Sequence, residues 1–178
     1  MYRKYIAKFE KVSFEQYLKD FKNLFPFQNF EDENVINEVR RIYDNIKLPT
    51  RSDDGSAGYD FYNNIEIVEL DGGESIVVPT GIRCKMNKGW VLLLVPRSGL
   101  GFKYGFRLHN TIGVIDSSYY GADNEGHIMA KFSHTSADNK LSIKEGDRFM
   151  QGIFIPYGIA EEVKPTNKRT GGFGSSGK

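Results

Sequence analysis

Apolar positions recur at steps of three and four between Ser13 and about Ile46. Phe14, Tyr17, Leu18, Phe21 and Leu24/Phe25 form one stripe, and Val35, Ile36, Val39, Ile42 and Tyr43 form a second beyond Pro26. That period belongs to an amphipathic helix, and the proline separates two of them. Ahead of the stripes, Tyr5–Phe9 reads as a short strand, which makes 13–46 a helical insertion between a first strand and the rest. From Leu48 onward short apolar runs alternate with turn residues: Ile65–Val68, Ser75–Pro79, Gly81–Cys84, Gly89–Pro96, Gly113–Ile115, His127–Phe132 and Gly152–Pro156. Many strands at this spacing, with glycine and aspartate between them, predict a mainly β protein, an antiparallel sandwich or barrel. No internal repeat is visible. The stretch 165–178 has too little apolar content to order by itself and reads as a flexible tail.

A chain of 178 residues suits one compact domain, here 1–178, with room for an appendage but not for a second full domain. Lysine plus arginine (24) nearly cancel aspartate plus glutamate (23), so no long-range field draws the protein to nucleic acid or an anionic membrane. Any bound anion must meet a local cluster. The single cysteine, Cys84, lies in an alternating stretch and reads as half-buried packing rather than a nucleophile. The N-terminal residues mix charge with aromatics, and no run is long enough to span a bilayer; a cytoplasmic, unanchored protein is expected.

Five clusters carry candidate chemistry. Gly172–Lys178 fits the G-x-x-x-x-G-K core of a phosphate-binding loop as a string. Such a loop also needs a helix after it and a Ser or Thr at the next position to hold magnesium, and neither follows Lys178 here. Gly55–Asp60 packs small residues before an aromatic and a carboxylate, which alone reads as a turn entering a strand. Pro96–Gly101 offers Arg97, Ser98 and Gly99, an arginine fork beside a hydroxyl and open amides, the set a phosphate requires. A loop with a surface arginine explains it equally well. Asn110–Gly121 is richest: the Asn110 amide can read a polar base edge, Asp116 can serve as a general base, and Tyr119 offers a flat wall. A hairpin in which Asp116 starts a turn is the plainer reading. Gly146–Gln151 places Asp147, Arg148 and Gln151 at the start of a strand, where an Asp–Arg pair is usually structural. His109, His127 and His134 have no metal-ligand spacing. Magnesium, carried in by a triphosphate, is the ion this chemistry suggests.

In order, AGYD, PRSG, NxxGVIDSxYxG, GDRxxQ and GGFGSSG resemble the five motifs of the homotrimeric dUTPases, the deoxyuridine triphosphate nucleotidohydrolases, from about Leu48 to the end. Five motifs in family order and spacing make chance convergence a poor explanation. The resemblance implies a jelly-roll-like β-barrel, a homotrimer with shared active sites, and hydrolysis of dUTP to dUMP and pyrophosphate. It implies that Asp116 activates the attacking water and that Tyr119 packs under the sugar and refuses a 2′-hydroxyl. Asn110, Gly113, Val114 and Ile115, with Met129 at the rim, would read uracil. Arg97, Ser98, Gly99 and Gln151 would hold phosphates, and Asp60 would order magnesium waters. From the tail, Arg169, Gly174, Ser175 and Ser176 would close on the γ-phosphate and Phe173 would stack on uracil. On this reading 165–178 is a lid.

The fifth motif departs from the common form: one residue fewer separates Arg169 from the Gly–Phe core, and Lys168 sits at the longer spacing. Gly121–Gly126 is also longer than the usual turn. The related dCTP deaminases would keep the phosphate cluster, but they lack this Phe-containing tail and need a glutamate base not evident here. The alternative from another class is a nucleotide-binding regulatory module whose helical insertion docks a protein partner.

Overall fold

The computed structural model describes residues 5–136 and 140–161. Arg169, Phe173, Gly174, Ser175 and Ser176, the tail residues expected to close on the nucleotide, therefore lie outside the described residues. The chain opens with β1 (Ala7–Lys11), α1 (Phe14–Leu24) and α2 (Glu33–Asp44). There follow β2 (Tyr59–Tyr62), β3 (Ile67–Leu70), β4 (Ser75–Pro79), β5 (Ile82–Met86) and β6 (Trp90–Pro96). After α3 (Ser98–Tyr104) come β7 (Arg107–Leu108), β8 (Gly113–Asp116), a 3₁₀ turn (Ser117–Gly121), β9 (Met129–Ser133), β10 (Leu141–Ile143) and β11 (Arg148–Pro156).

All strand pairs among the described residues are antiparallel, in sheets ordered β1-β5, β10-β3, β2-β11-β6-β8 and β4-β9-β7. They enclose one apolar cluster in the manner of a jelly roll, the strands alternating inward and outward residues. Phe106 and Phe132 stack at 4.4 Å and Phe149 meets Phe132 edge-on at 5.3 Å. Gly152 is required where it stands, because a Cβ there would lie 2.7 Å from Leu92 and 3.1 Å from Phe61.

The helical stripes do what their period demands. Ser13 caps α1 by accepting from the Gln16 amide, and Asp32 caps α2 by accepting from Asn34. Tyr17, Phe21, Val39 and Ile42 join the same core as the strands, each burial contributing about 1.5–3 kcal/mol relative to exposure. Arg41 fastens α2 to the loop before β11 with paired hydrogen bonds to Glu145 at 3.1 and 2.9 Å.

The first strand begins at Ala7 rather than Tyr5 and runs on to Lys11, following its register with β5. The strand expected at Ile65–Val68 starts at Ile67, because the buried Asn63 amide donates to the carbonyls of Ile65, Ile143 and Lys144 and holds the chain in a turn. Cys84 is fully rather than half buried, and burial pushes its thiol up to about 12, so it stays protonated and unreactive. No helix among the described residues is long and apolar enough to cross a membrane.

Three carboxylates tie the N-terminal segment to the barrel. Burial opposes ionisation of Asp20 and Glu125, yet hydrogen bonds from His127 and Gln16 to Asp20, and from Ser13 to Glu125, outweigh it and hold both below their ordinary values. Glu10 is held down to about 2, first by its bond from Lys8 and then by the Tyr120 hydroxyl. A carboxyl whose folded pKa is depressed contributes stability above its unfolded pKa and loses it as pH falls through the folded one. Denaturant midpoints should therefore be level above about pH 5 and fall progressively below about pH 4. Asp20→Asn should flatten that fall; an unchanged acid slope in this variant would contradict the assignment.

Candidate active site

The residues of the AGYD, PRSG and GDRxxQ motifs come together at the end of the β2-β11-β6 layer. Register places Gln151 of β11 opposite Asp60 of β2 on one side and Val95 of β6 on the other. Asp60, 8% exposed, faces Arg97 Nε at 3.4 Å and Arg148 Nη1 at 3.1 Å with its two oxygens. One carboxylate thus aims two guanidinium groups. Their side chains remain 37% and 42% exposed, so both can still meet an anion. The GDRxxQ motif is not an internal Asp–Arg pair: Asp147 instead accepts from the Lys144 amide.

The PRSG segment is not an open loop. Arg97 is the N-cap of α3, and Gly105 ends the helix in the left-handed region at φ 58, its amide bonding back to Gly101 and Leu100. Ser98 and Gly99 lead the helix, where amides have no carbonyl one turn behind them. A cleft of about 490 Å³ opens here, lined by Arg97, Ser98, Gly99, Lys103 and Arg148 among others. Lys103 is a cation of this cleft that carries no motif signal, whereas Arg148 stands inside the fourth motif and turns to Asp60 rather than forming the structural pair with Asp147 that its neighbourhood suggests. Gly58 completes the arrangement: a Cβ there would lie 2.4 Å from Gln151 Oε1, so only glycine lets the carboxamide sit against the β2 approach.

The third motif lies elsewhere. Asn110 is exposed in the turn between β7 and β8, where Thr111 takes φ 70, and Gly113 enters β8 under Leu94, which a Cβ would approach to 2.9 Å. Val114 is 55% exposed, Ile115 and Asp116 are half-buried, and Met129 opens β9 opposite Pro79. Asp116 closes β8 opposite Val91 and precedes the 3₁₀ turn. Tyr119 is buried at 3% exposure; its hydroxyl donates to the His127 carbonyl at 2.7 Å and accepts from Asn124 Nδ2 at 2.8 Å.

Register fixes how far apart these halves are. On the outward face of the sheet, Gln151 lies beside Val95, Ile153 beside Leu93 and Val114, and Ile155 beside Val91 and Asp116. Four residues of β6 separate the Gln151 row from the Asp116 row, about 13 Å along the strand, and two strand spacings, about 10 Å, lie across it. One chain therefore does not bring Asp116 against Arg97 and Gln151. Between them the outward residues Val91, Leu93, Ile153 and Val114 are all apolar, and none is buried.

Among the described residues no group of three or more His, Cys, Asp or Glu side chains is placed to hold a metal ion. The local chemistry is that of an anion site.

The dUTPase family model matches residues 44–177. A deoxyuridine 5′-triphosphate nucleotidohydrolase of Lactococcus lactis is 41% identical over 145 residues, 79% of this chain and 95% of that protein. A crystal structure of dUTPase from Streptococcus mutans is 36% identical with a TM-score of 0.57, covering 65% of this chain and 89% of that one. The fold is shared also with a dUTPase of Staphylococcus aureus phage phi11, 23% identical with a TM-score of 0.55 over 69% of this chain and 92% of its own, a structure described for its coordination of a structural Mg(II) ion. The motif order, the antiparallel barrel and the relatives agree, and the chain belongs to the dUTPase family.

Proposed function

We propose that the chain hydrolyses dUTP to dUMP and pyrophosphate in a homotrimer whose sites draw on more than one subunit. The observation that carries this is the split site: Gln151, whose register partner Asp60 holds Arg97 and Arg148, lies on the same face of the sheet as Asp116 but about 13 Å from it along β6. The apolar strip between them is what a second copy would cover, and covering it would set one chain's Asp116 beside another chain's arginines.

In the assembled site Arg97, Arg148 and the leading amides of α3 meet the phosphates with Gln151. Asp116 accepts a proton from the water that attacks the α-phosphorus; the new P–O bond forms as the bond to the β-phosphate oxygen breaks, and pyrophosphate leaves. Asn110 and the Gly113–Ile115 backbone take the uracil edge, with Met129 at the rim. The Tyr119 ring lies under the sugar. Arg169, Phe173, Gly174, Ser175 and Ser176 close over the nucleotide. Magnesium enters as part of the substrate, on the triphosphate, with Asp60 ordering the arginines and the waters near it.

Pyrophosphate release with magnesium, compared for dUTP, dCTP, dTTP and UTP, tests the reading. Fast release from dUTP alone is expected. Release from none would favour the regulatory alternative, in which the helical segment docks a protein. Gly58→Ala should displace the Gln151 carboxamide while leaving the fold intact, since the clash is with the end of a flexible side chain. Losing one hydrogen bond to a charged group costs about 1.5–3 kcal/mol, so KM for dUTP should rise roughly ten- to a hundredfold. An unchanged KM would remove Gln151 from the phosphate site.

A further inference from the structure

The segment between β1 and β2 lies largely ahead of the part matched to the family, which begins at residue 44. Its first helix nevertheless reaches the wall of the proposed nucleotide site by two routes. The first runs through His127, which is completely buried. Its Nε2 accepts the Gly81 amide at 2.8 Å, so the ring proton sits on Nδ1, which donates to Asp20 Oδ2 of α1 at 2.6 Å. Gln16 Nε2, one turn back on α1, donates to the same oxygen at 2.8 Å, and the Tyr17 ring lies 5.9 Å from the imidazole. The backbone carbonyl of this same His127 receives the Tyr119 hydroxyl.

The second route runs through the lengthened turn 121–126. Glu125 reaches to the start of α1, accepting the Ser13 hydroxyl at 2.6 Å and the Ser13 amide at 2.7 Å. It does so from φ 57, and Gly126 follows at φ 72, so tightly under the 3₁₀ turn that a Cβ would fall 2.6 Å from the Tyr119 carbonyl oxygen. On the other flank Tyr120 donates to Glu10 of β1 at 2.6 Å, and its ring lies under Arg83 at 4.6 Å. Tyr119 is thus held between a histidine fixed by α1 and a turn fixed by the α1 N-terminus.

We infer that α1 is a positioning frame for Tyr119: Asp20, acting through His127, and Ser13, acting through Glu125, set the ring that forms the sugar wall. This rests on the reading of Tyr119 as that wall. A shift of the ring admits a 2′-hydroxyl before it unfolds anything, so the frame governs the preference for dUTP over UTP as well as turnover. The extra turn length and the extra helix are then parts of one device, since Glu125 in the one bonds Ser13 at the head of the other.

The test compares kcat/KM for dUTP and UTP in the full-length protein carrying Asp20→Ala, Asp20→Asn, Glu125→Ala, Val39→Ala or Tyr119→Ala. Asp20→Ala leaves the His127 Nδ1–H without an acceptor, and Asp20→Asn restores one. Glu125 is half-buried at the rim, so its replacement reports even where Asp20→Ala does not fold. Val39, buried in α2, contributes to the packing of the segment and to none of the hydrogen bonds of either route, so its truncation destabilises the segment alone. The dUTP/UTP ratio should fall roughly tenfold in Asp20→Ala and Glu125→Ala, less than the hundredfold that misplacing a reacting group by an ångström can cost. It should be largely kept in Asp20→Asn and unchanged in Val39→Ala. If Tyr119→Ala lowers the ratio and neither Asp20→Ala nor Glu125→Ala does, the frame is overturned while the sugar-wall reading stands. An equal fall in Val39→Ala would reduce the frame to general stability and overturn it. A ratio unchanged in Tyr119→Ala sinks the sugar-wall reading, and the frame with it.

Discussion

Asp116→Asn is expected to keep the fold and nucleotide affinity while lowering turnover by about 10²–10⁴-fold, the range a positioned general base contributes. The amide matches the carboxylate in size and still offers an oxygen acceptor, so the end of β8 and its pairing with Val91 should be undisturbed. What it cannot do is take the proton of the attacking water. The expected signature is a lowered kcat at nearly constant affinity for a non-hydrolysable dUTP analogue, measured by calorimetry beside pyrophosphate release. Near-normal turnover would remove Asp116 from the role of base. Weakened affinity at normal kcat would make it a binding group instead.

A chain ending at Lys168 should assemble and melt like the full protein but lose about 10²-fold or more in turnover. The deleted residues include Arg169, Phe173, Ser175 and Ser176, the groups proposed to close on the γ-phosphate and stack on the base. The loss would therefore fall on orientation of the triphosphate and exclusion of water, which closing segments supply. Because Lys168 remains in the shortened chain, residual activity also measures how far that cation substitutes for Arg169. Turnover equal to the full-length chain would show that the tail takes no part in the chemistry.

The elements with a strong period were legible in the sequence. The stripes at Phe14–Phe25 and Val35–Tyr43 gave two helices, and the apolar runs gave β4, β5, β6, β8, β9 and the second half of β11; β7 and β10, two and three residues long, are too short to show a period. Motif order gave the family. α3 was not legible, because Gly99 and Gly101 disfavour a helix interior and only the closing Gly105 favours one. The true partner of Arg148 was hidden because it lies 88 residues away and depends on the register that puts Gln151 opposite Asp60. Asp20 and His127, 107 residues apart, were hidden for the same reason: a buried histidine without ligand spacing carries no local signal of what holds it. Strand register also shows what motif spacing cannot, that the cation cleft and Asp116 belong to different ends of β6.

The most direct measurement mixes two disabled chains. Arg97→Ala retains Asp116 and Asp116→Asn retains Arg97, and each alone should be nearly inactive on dUTP. If a site takes its arginine from one subunit and its base from another, trimers refolded from an equal mixture should recover about a quarter of wild-type turnover, one half for each intact residue. A mixture no more active than the mean of the two variants would place both residues of every site in one chain, and would contradict the shared site.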